Sequence, residues 1–324
     1  MEPLDQIRLS RRGVFRAGAA VGAGALGSGL LATGTANAVL PPSPEFDLGA
    51  TPHHLFGPKI LHETHHSMQG FTFDDVNRRL FVVQAENGGS GADLVVNQVS
   101  ASGAVLGSMT VKRAGHGVSI AAEPVGDITY IWIECDADQN NGDGRGTALA
   151  RVQFKNIVRE SIATEAKFFR GSDTITAAVD PVNKRLMVRR KENGSFYFSV
   201  WPLSKAREGL AADRLVHVKQ PSYSRTFQGY TFYGQYAYLW YGDGQTNPDN
   251  INSTIRTVDL NTGEFTRDPA VTRAGESLVY REPEGMAIHR MDSGDLGLFF
   301  GFASRPGDGG DNRYANLYYK LLAG

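Results

Sequence analysis

The stretch Gln69-Gly70-Phe71-Thr72-Phe73-Asp74 opens a short apolar strand, and four later stretches repeat its pattern. These are His116-Gly117-Val118-Ser119-Ile120, Ile175-Thr176-Ala177-Ala178-Val179, Gln228-Gly229-Tyr230-Thr231-Phe232 and Glu284-Gly285-Met286-Ala287-Ile288. Successive anchor positions, from Gly70 to Gly285, are 47, 59, 53 and 56 residues apart. This period is too long for a helical solenoid and suits a four-stranded blade with loops. The repeats predict an all-β protein, a five-bladed β-propeller that forms a closed ring of four-stranded blades.

Each repeat continues as a hairpin. Asp74-Asp75-Val76-Asn77 and Asp180-Pro181-Val182-Asn183 follow two equivalent strands, and a second apolar run follows each of them. Two β-rich runs joined by Asp, Asn or Pro residues are typical of a β-hairpin. The best helical candidate, Ser204 to Asp213, is a single short excursion.

The first 38 residues have the composition of an export signal. Ser10-Arg11-Arg12-Gly13-Val14-Phe15 is a twin-arginine motif, an Ala/Gly/Leu-rich stretch follows, and Ala36-Asn37-Ala38 offers a cleavage site. We therefore expect residues 1–38 to be a signal peptide cleaved after Ala38, residues 39–60 to be an N-terminal extension, and residues 61–324 to form the propeller. The expected product is a secreted protein without a membrane span.

Composition excludes several classes of protein. The chain has 33 basic and 34 acidic residues, and the first 38 residues hold four arginines and two acids, so the remainder carries about −3. This charge does not indicate a nucleic-acid partner. The single cysteine, Cys135, excludes a disulfide framework within the chain. We expect a monomer, because nothing in the composition indicates self-association.

Several motifs resemble a known family. Residues 69–74, the segment from Gly115 to Pro124 with Tyr130-Ile131-Trp132 after it, and Gln228-Gly229-Tyr230 are similar to the propeller of teichoic-acid-biosynthesis protein C and of phage receptor-binding proteins. The resemblance extends over roughly Leu61 to Leu322. It implies recognition of cell-wall teichoic acid or a related envelope glycan, and it supplies no catalytic residues. The chain departs from the pattern at Ile175-Thr176, so one sector of the ring should be less polar.

A cationic or imidazole side chain lies four residues before each anchor glycine, and Ser172 takes this place in the third repeat. Equivalent positions of successive blades are related by rotation, so these side chains are expected to form a ring on one face around the axial residues. The predicted ligand-binding residues are Gln69, Arg113, Arg225, Gln228, Arg281 and Glu284, together with His66 and His116. Arginine binds carboxylate or phosphate through two parallel hydrogen bonds, which favours an anionic polymer. The alternative is that each cation pairs with a neighbouring acid such as Glu63 or Glu282.

Two functions remain open. The first is binding of an anionic polysaccharide or teichoic acid in a central basic depression, with Tyr223 stacked on a sugar ring. The second is a polysaccharide lyase that cleaves a uronate-containing glycan by β-elimination. In that enzyme an arginine would neutralise the uronate, His116 or His66 would remove the proton, and Tyr223 would protonate the leaving oxygen.

Two segments are candidates for metal binding. Asp136, Asp138 and Asn140 alternate as calcium ligands do, although the glycine and the glutamate of a full calcium loop are missing. Calcium is therefore the one cofactor to consider, and a turn rich in Asp and Asn is the alternative. The histidines at 53, 54, 62, 65 and 66 match no zinc signature in their spacing.

Overall fold

The computed structural model describes residues 39–86, 93–137 and 144–323. The chain from residue 37 onward forms one compact unit. The twin-arginine motif and the cleavage site lie outside the described residues, so export stays a prediction. In the described part of the chain, no helix is long and apolar enough to cross a membrane.

The described strands form five sheets, one for each predicted blade, and every strand pair but one is antiparallel. The chain starts with β1 (His53–Lys59) and then enters blade 1, which contains β2 (Met68–Asp74), β3 (Arg79–Ala85), β4 (Leu94–Val99) and β5 (Val105–Val111). Blade 2 contains β6 (Ala121–Val125), β7 (Ile128–Cys135), β8 (Ala148–Gln153) and β10 (Lys167–Phe168), while β9 (Val158–Glu160) pairs in parallel with β5 of blade 1. Blade 3 contains β11 (Ile175–Asp180), β12 (Arg185–Glu192), β13 (Ser195–Pro202) and β14 (Val216–Lys219).

Blade 4 contains β15 (Phe227–Tyr233), β16 (Tyr236–Tyr241), β17 (Thr254–Asp259), β18 (Glu264–Phe265) and β19 (Ala270–Val271). Blade 5 contains β20 (Val279–Arg290), β21 (Leu296–Arg305) and β22 (Tyr314–Leu321), and β1 is its fourth strand. The first strands of the blades are neighbours around the axis. The five-bladed, all-β architecture predicted from the repeats is confirmed. The ring is not closed by hydrogen bonds, because the blades pack through side chains rather than as one continuous sheet.

The two ends of the chain meet in blade 5. β1 pairs antiparallel with β22, with His53 opposite Tyr319 and Lys59 opposite Ala315. This confirms that the C-terminal run pairs with a strand near the start of the described chain. The expected domain boundary at residue 61 needs correction, because it would separate β1 from the sheet that its backbone completes.

The predicted helix between Ser204 and Asp213 is wrong. This segment contains only two 3₁₀ turns, Leu203–Lys205 and Ala211–Asp213. It connects β13 to β14, and Trp201 fixes it there by donating a hydrogen bond from Nε1 to the Leu210 carbonyl at 3.0 Å. The segment contributes turns to the connection, and each turn is too short to form a helix that packs through one face.

We call the face where the innermost strands begin the upper face, and the opposite one the lower face. Strands alternate in direction, so each connection from an outermost strand to the next blade crosses the upper face. The predicted ligand-binding residues all lie in these connections or at the first residues of the innermost strands. They therefore share the upper face, as the repeat offset predicts.

Candidate functional site

The floor of the axial depression is made of glycine backbone. A Cβ atom added to Gly285 would lie 2.6 Å from the Cα of Gly70, and one added to Gly229 would lie 2.9 Å from the Cα of Gly285. A Cβ atom on Gly70 would collide with the carbonyl oxygen of Gly117. Four of the five anchor positions thus meet at the axis, and only residues without side chains permit this approach.

β-Bulges turn the residues before the glycines toward the axis. The strand register shifts between Met68 and Gly70, and again between Phe227 and Gly229. β20 also shifts register between Pro283 and Met286. An extra residue at a bulge is unpaired and its side chain is re-aimed. The Gln69 side chain contacts Glu284 in the innermost strand of the adjacent blade, with Nε2 3.4 Å from Oε1.

The innermost strand of the third blade has no β-bulge before its anchor residue. β11 pairs with β12 in continuous register, and Ile175 packs into the apolar cluster shared with Trp132 of blade 2. Thr176 is fully buried, and the hydroxyl of Tyr230 donates a hydrogen bond to its carbonyl at 3.0 Å. At the position before its anchor, this sector thus has a buried apolar side chain, Ile175, where the other blades have a polar one.

Buried acidic residues lie at the axis, where the sequence predicts a central basic depression. Burial, followed by repulsion from Glu282, raises the pKa of Glu284 well above its usual value. Burial also raises the pKa of Glu282 and of Glu134. Glu134 accepts hydrogen bonds from the backbone amides of Gly117 and Gly146, at 2.6 and 2.5 Å. Arg145 is the cation whose charge acts on both Glu134 and Glu284, and no motif in the sequence singled it out.

The predicted ring of cations is not assembled around the axis. Arg281 is 1% exposed, and its guanidinium donates to the carbonyls of Ala274 and Thr272, at 2.7 and 3.0 Å, and to the Ser253 hydroxyl. It also lies 3.8 Å from the centre of the Phe302 ring. Arg281 therefore joins the loops of blades 4 and 5 and is not available to a polymer. Burial lowers its pKa to about 10.

His66 and Arg113 lie at separate places on the upper face. His66 is half-buried with Nδ1 3.5 Å from the Glu63 carboxylate, the acid pairing that the sequence offered as an alternative. Arg113 is exposed and lines a cavity of about 400 Å³ between blades 1 and 2. Ion pairs already occupy part of that cavity, since Arg159 bonds Asp93 and Glu86.

The calcium prediction remains largely untested. Asp136 lies beside Arg113, and its Oδ1 accepts a hydrogen bond from the Lys167 ammonium at 2.7 Å. Asp138 and Asn140 lie outside the described residues. Across residues 39–86, 93–137 and 144–323, no three His, Cys, Asp or Glu side chains are grouped as metal ligands.

Tyr223 and Arg225 line one cavity between blades 3 and 4, which we call the Tyr223 cavity. It has a volume of about 300 Å³ and opens on the upper face. Three cations and four aromatic rings contribute to its wall, and the described lining residues include no acid. These residues are Arg189, Lys219, Arg225, Phe196, Phe227, Tyr223 and Tyr241.

The cations of the Tyr223 cavity differ in their surroundings. Arg189 is 5% exposed, lies 3.6 Å from the Phe196 ring centre and 3.9 Å from that of Phe227, and donates from Nε to Gln220 Oε1 at 2.7 Å. Burial lowers its pKa to about 9. Lys219 and Arg225 are exposed, and within the described chain neither has a carboxylate within 4.0 Å. The cavity therefore carries uncompensated positive charge next to aromatic surface, a combination that suits a sugar bearing an anion.

The three predicted catalytic residues are spread over three blades. His66 precedes the first strand of blade 1, His116 that of blade 2, and Tyr223 that of blade 4. The Tyr223 ring packs on Tyr241 and Phe265, and the described contacts bring it to neither histidine. The structure thus gives no support for a shared His/Tyr site.

Known proteins share this architecture. The profile of one family, described as the phage 5-bladed beta propeller receptor binding platform domain, matches residues 67–319. The tail fiber of Staphylococcus aureus phage P68 superimposes with a TM-score of 0.66 at 20% identity, over 86% of this chain and 54% of that one. A thermostable family-43 glycoside hydrolase gives a TM-score of 0.47 at 12% identity, over 82% of this chain and 96% of the hydrolase. No curated protein matches the chain.

This chain spans about half the length of the tail fiber that it resembles. The similarity to the tail fiber concerns the fold alone, because the two sequences are only 20% identical. The family profile, in contrast, extends from the first strand of blade 1 into the last strand of blade 5. The chain therefore belongs to the family of phage five-bladed β-propeller receptor-binding platform domains.

Proposed function

We propose that this propeller binds an anionic cell-envelope glycan, such as a teichoic acid or a uronic-acid polymer, through the Tyr223 cavity. The observation that carries the proposal is the pairing of three cations with an aromatic wall and no described acid. Lys219 and Arg225 would bind the anion, because both are exposed and no carboxylate pairs with them in the described chain. Tyr223 would contact the sugar face. Membership in a receptor-binding family is consistent with this role.

The cavity favours binding over lyase chemistry. β-Elimination needs a base near the proton at C5 and an acid near the leaving oxygen, and the candidate histidines lie in other blades. Arg189, the cation closest to the aromatic wall, is held by Gln220 and by two rings. It is positioned to supply a fixed positive charge to a bound anion rather than to move a proton.

Isothermal titration calorimetry with a glycerol-phosphate teichoic acid, polygalacturonate and neutral dextran tests the proposal. We expect Arg225→Ala and Lys219→Ala each to weaken binding of one anionic polymer by about 1.5–3 kcal/mol, roughly ten- to 150-fold. Added salt should weaken binding further, since the contacts are exposed. Arg207→Ala is the matched control, because Arg207 is an exposed arginine on the lower face.

Equal loss of affinity in the Arg207→Ala control would show that only overall charge matters. Unchanged binding by both cavity variants would refute the proposed site. Ultraviolet absorbance recorded during the polygalacturonate incubation detects the unsaturated product of a lyase, and its formation would replace the binding proposal by an enzymatic one.

A further inference from the structure

The axis of the upper face has buried carboxyl groups where the Tyr223 cavity has cations. Four side chains from blades 1, 4 and 5 meet there, and we call them the axial acid cluster: Gln69, Gln228, Glu282 and Glu284. Glycine backbone closes the ring beneath them. The axis is therefore closed by backbone at this level and is not an open channel.

Glu284 is the unusual member of this cluster. Its side chain is 3% exposed, its Oε1 has only the long 3.4 Å contact from Gln69, and its Oε2 has no hydrogen-bond donor among the described residues. Two other buried carboxylates have several hydrogen-bond donors. Glu134 accepts hydrogen bonds from two backbone amides. Glu123 accepts them from the Trp132 indole and from Nε and Nη2 of Arg151. A buried carboxylate oxygen without a donor costs folding free energy, so this one is available to a ligand.

Acids and cations both surround this pair of carboxyl groups. Glu282 repels Glu284, and Arg145 attracts it from the loop after β7. Asp243 repels Glu282, and Arg305 and Arg313 attract it. Glu134 adds a further buried acid that Arg145 also serves. A cationic ligand would relieve the repulsion between Glu282 and Glu284.

We infer that the axial acid cluster binds a primary ammonium group. Such a group has three donors, and the cluster offers Glu284 Oε2 and the amide oxygens of Gln69 and Gln228. Each amide points its nitrogen at a protein acceptor, Gln69 at the Met68 carbonyl and Gln228 at the Gly242 carbonyl, which leaves its oxygen to accept. Gln69 is half-buried, and its amide nitrogen makes long contacts of 3.3 Å to the Met68 carbonyl and 3.4 Å to Glu284.

An ammonium fits this cluster better than a metal ion does. Amide oxygens dominate the available acceptors, and the described residues show no group of three acidic or histidine ligands. The axial acid cluster and the Tyr223 cavity are separate sites, and ammonium binding at the first does not require anion binding at the second. If both bind, the receptor carries amines as well as anions.

Two sugars that carry no anionic group and differ only in the acetylation of their amines test the inference. Calorimetry would compare a glucosamine tetramer, at a pH where its amines are protonated, with the N-acetylglucosamine tetramer. We expect the acetylated sugar to bind at least about tenfold more weakly, and Glu284→Gln to abolish the preference, because it removes the charge and keeps the shape. Gln69→Ala should weaken binding of the amine in the same direction.

Two controls establish whether Glu284 itself causes the preference. Glu264→Gln changes one exposed acid elsewhere and should leave the preference intact, and circular dichroism confirms that each variant is folded. Equal binding of the two tetramers would overturn the inference. A metal site would also overturn it. In that case calcium chloride would raise the melting temperature of the wild type but not of Glu284→Gln, and the wild type would not respond to glucosamine. Either result leaves the anionic-glycan proposal standing, since neither probe carries an anionic sugar.

Discussion

Single residues at the axis decide whether the blades can close. Gly285 has a φ of +68° and lies against Gly70, so it needs both an unusual backbone conformation and an absent side chain. Gly309 has a φ of +83° in an exposed loop, and a Cβ atom added there would meet nothing within 4 Å. The two glycines therefore share a positive φ, which would strain a residue with a side chain, and they differ in packing.

We predict that Gly285→Ala destabilises the protein by about 3 kcal/mol or more, because overpacking adds about 1–3 kcal/mol to the cost of the left-handed backbone. Gly309→Ala should cost only about 1–2 kcal/mol, from the backbone alone. Urea unfolding of both variants measures the difference. Equal destabilisation would mean that the axis tolerates a methyl group and that the glycines do not seal it.

At the scale of elements, the first hairpins of blades 1 and 3 each have an aspartate at the equivalent position. This aspartate stabilises the turn and also accepts a hydrogen bond from the next blade. Asp180 accepts the amides of Val182 and Asn183, at 3.0 and 2.9 Å, and the amide of Gly234 in blade 4 at 2.8 Å. Asp74 repeats the turn and accepts the Thr129 hydroxyl of blade 2 at 2.5 Å. The repeated sequence motif thus connects blades as well as strands.

Asp180→Ala should therefore destabilise the protein by on the order of 3 kcal/mol, because several donors, including the buried amide of Gly234, lose their acceptor. Asp268→Ala, at an exposed position, is the control for the change of charge. Thermal and urea unfolding report the effect. A variant at position 180 as stable as the control would show that the turn forms without its side chain.

At the scale of the whole molecule, the N-terminal segment completes the ring. β1 is the outermost strand of blade 5, and Leu40, Phe46, Leu48 and Phe56 are each at most 5% exposed. Burial of four such side chains contributes about 6–12 kcal/mol, which is comparable with the whole stability of a typical domain. The segment thus belongs to the propeller rather than to a separate extension.

A protein that starts at residue 61 should consequently fail to fold or should aggregate, because the edge of β22 is exposed. A protein that starts at residue 39 keeps β1 and should melt in one cooperative transition. Circular dichroism and size-exclusion chromatography compare the two. Cooperative melting of the shorter protein at the same temperature would contradict the closure of blade 5 by β1.

The spacing of the anchor residues determined the number of blades, since each blade needs its own innermost strand and its own glycine at the crowded axis. The Asp-x-x-Asn turns and the apolar sector at Ile175 were also readable from local sequence, because hairpin turns and strand burial depend on neighbours in the chain. The upper-face location of the predicted site residues followed from the repeat offset alone. Arg225 was identified by this offset, and Tyr223 was identified as an aromatic residue near a repeat opening.

Only the tertiary structure decided which of these side chains can meet a ligand. Arg281 occupies the same repeat position as Arg225, yet loop carbonyls that are 7 and 9 residues away surround it. Arg189 and Lys219 join Arg225 from strands of another blade, and Arg145 reaches the axis from a loop. Burial, bulges and long-range packing set these environments, and none of them can be predicted from a repeat offset. Which ionisable groups lie at the axis was for this reason decided by the fold.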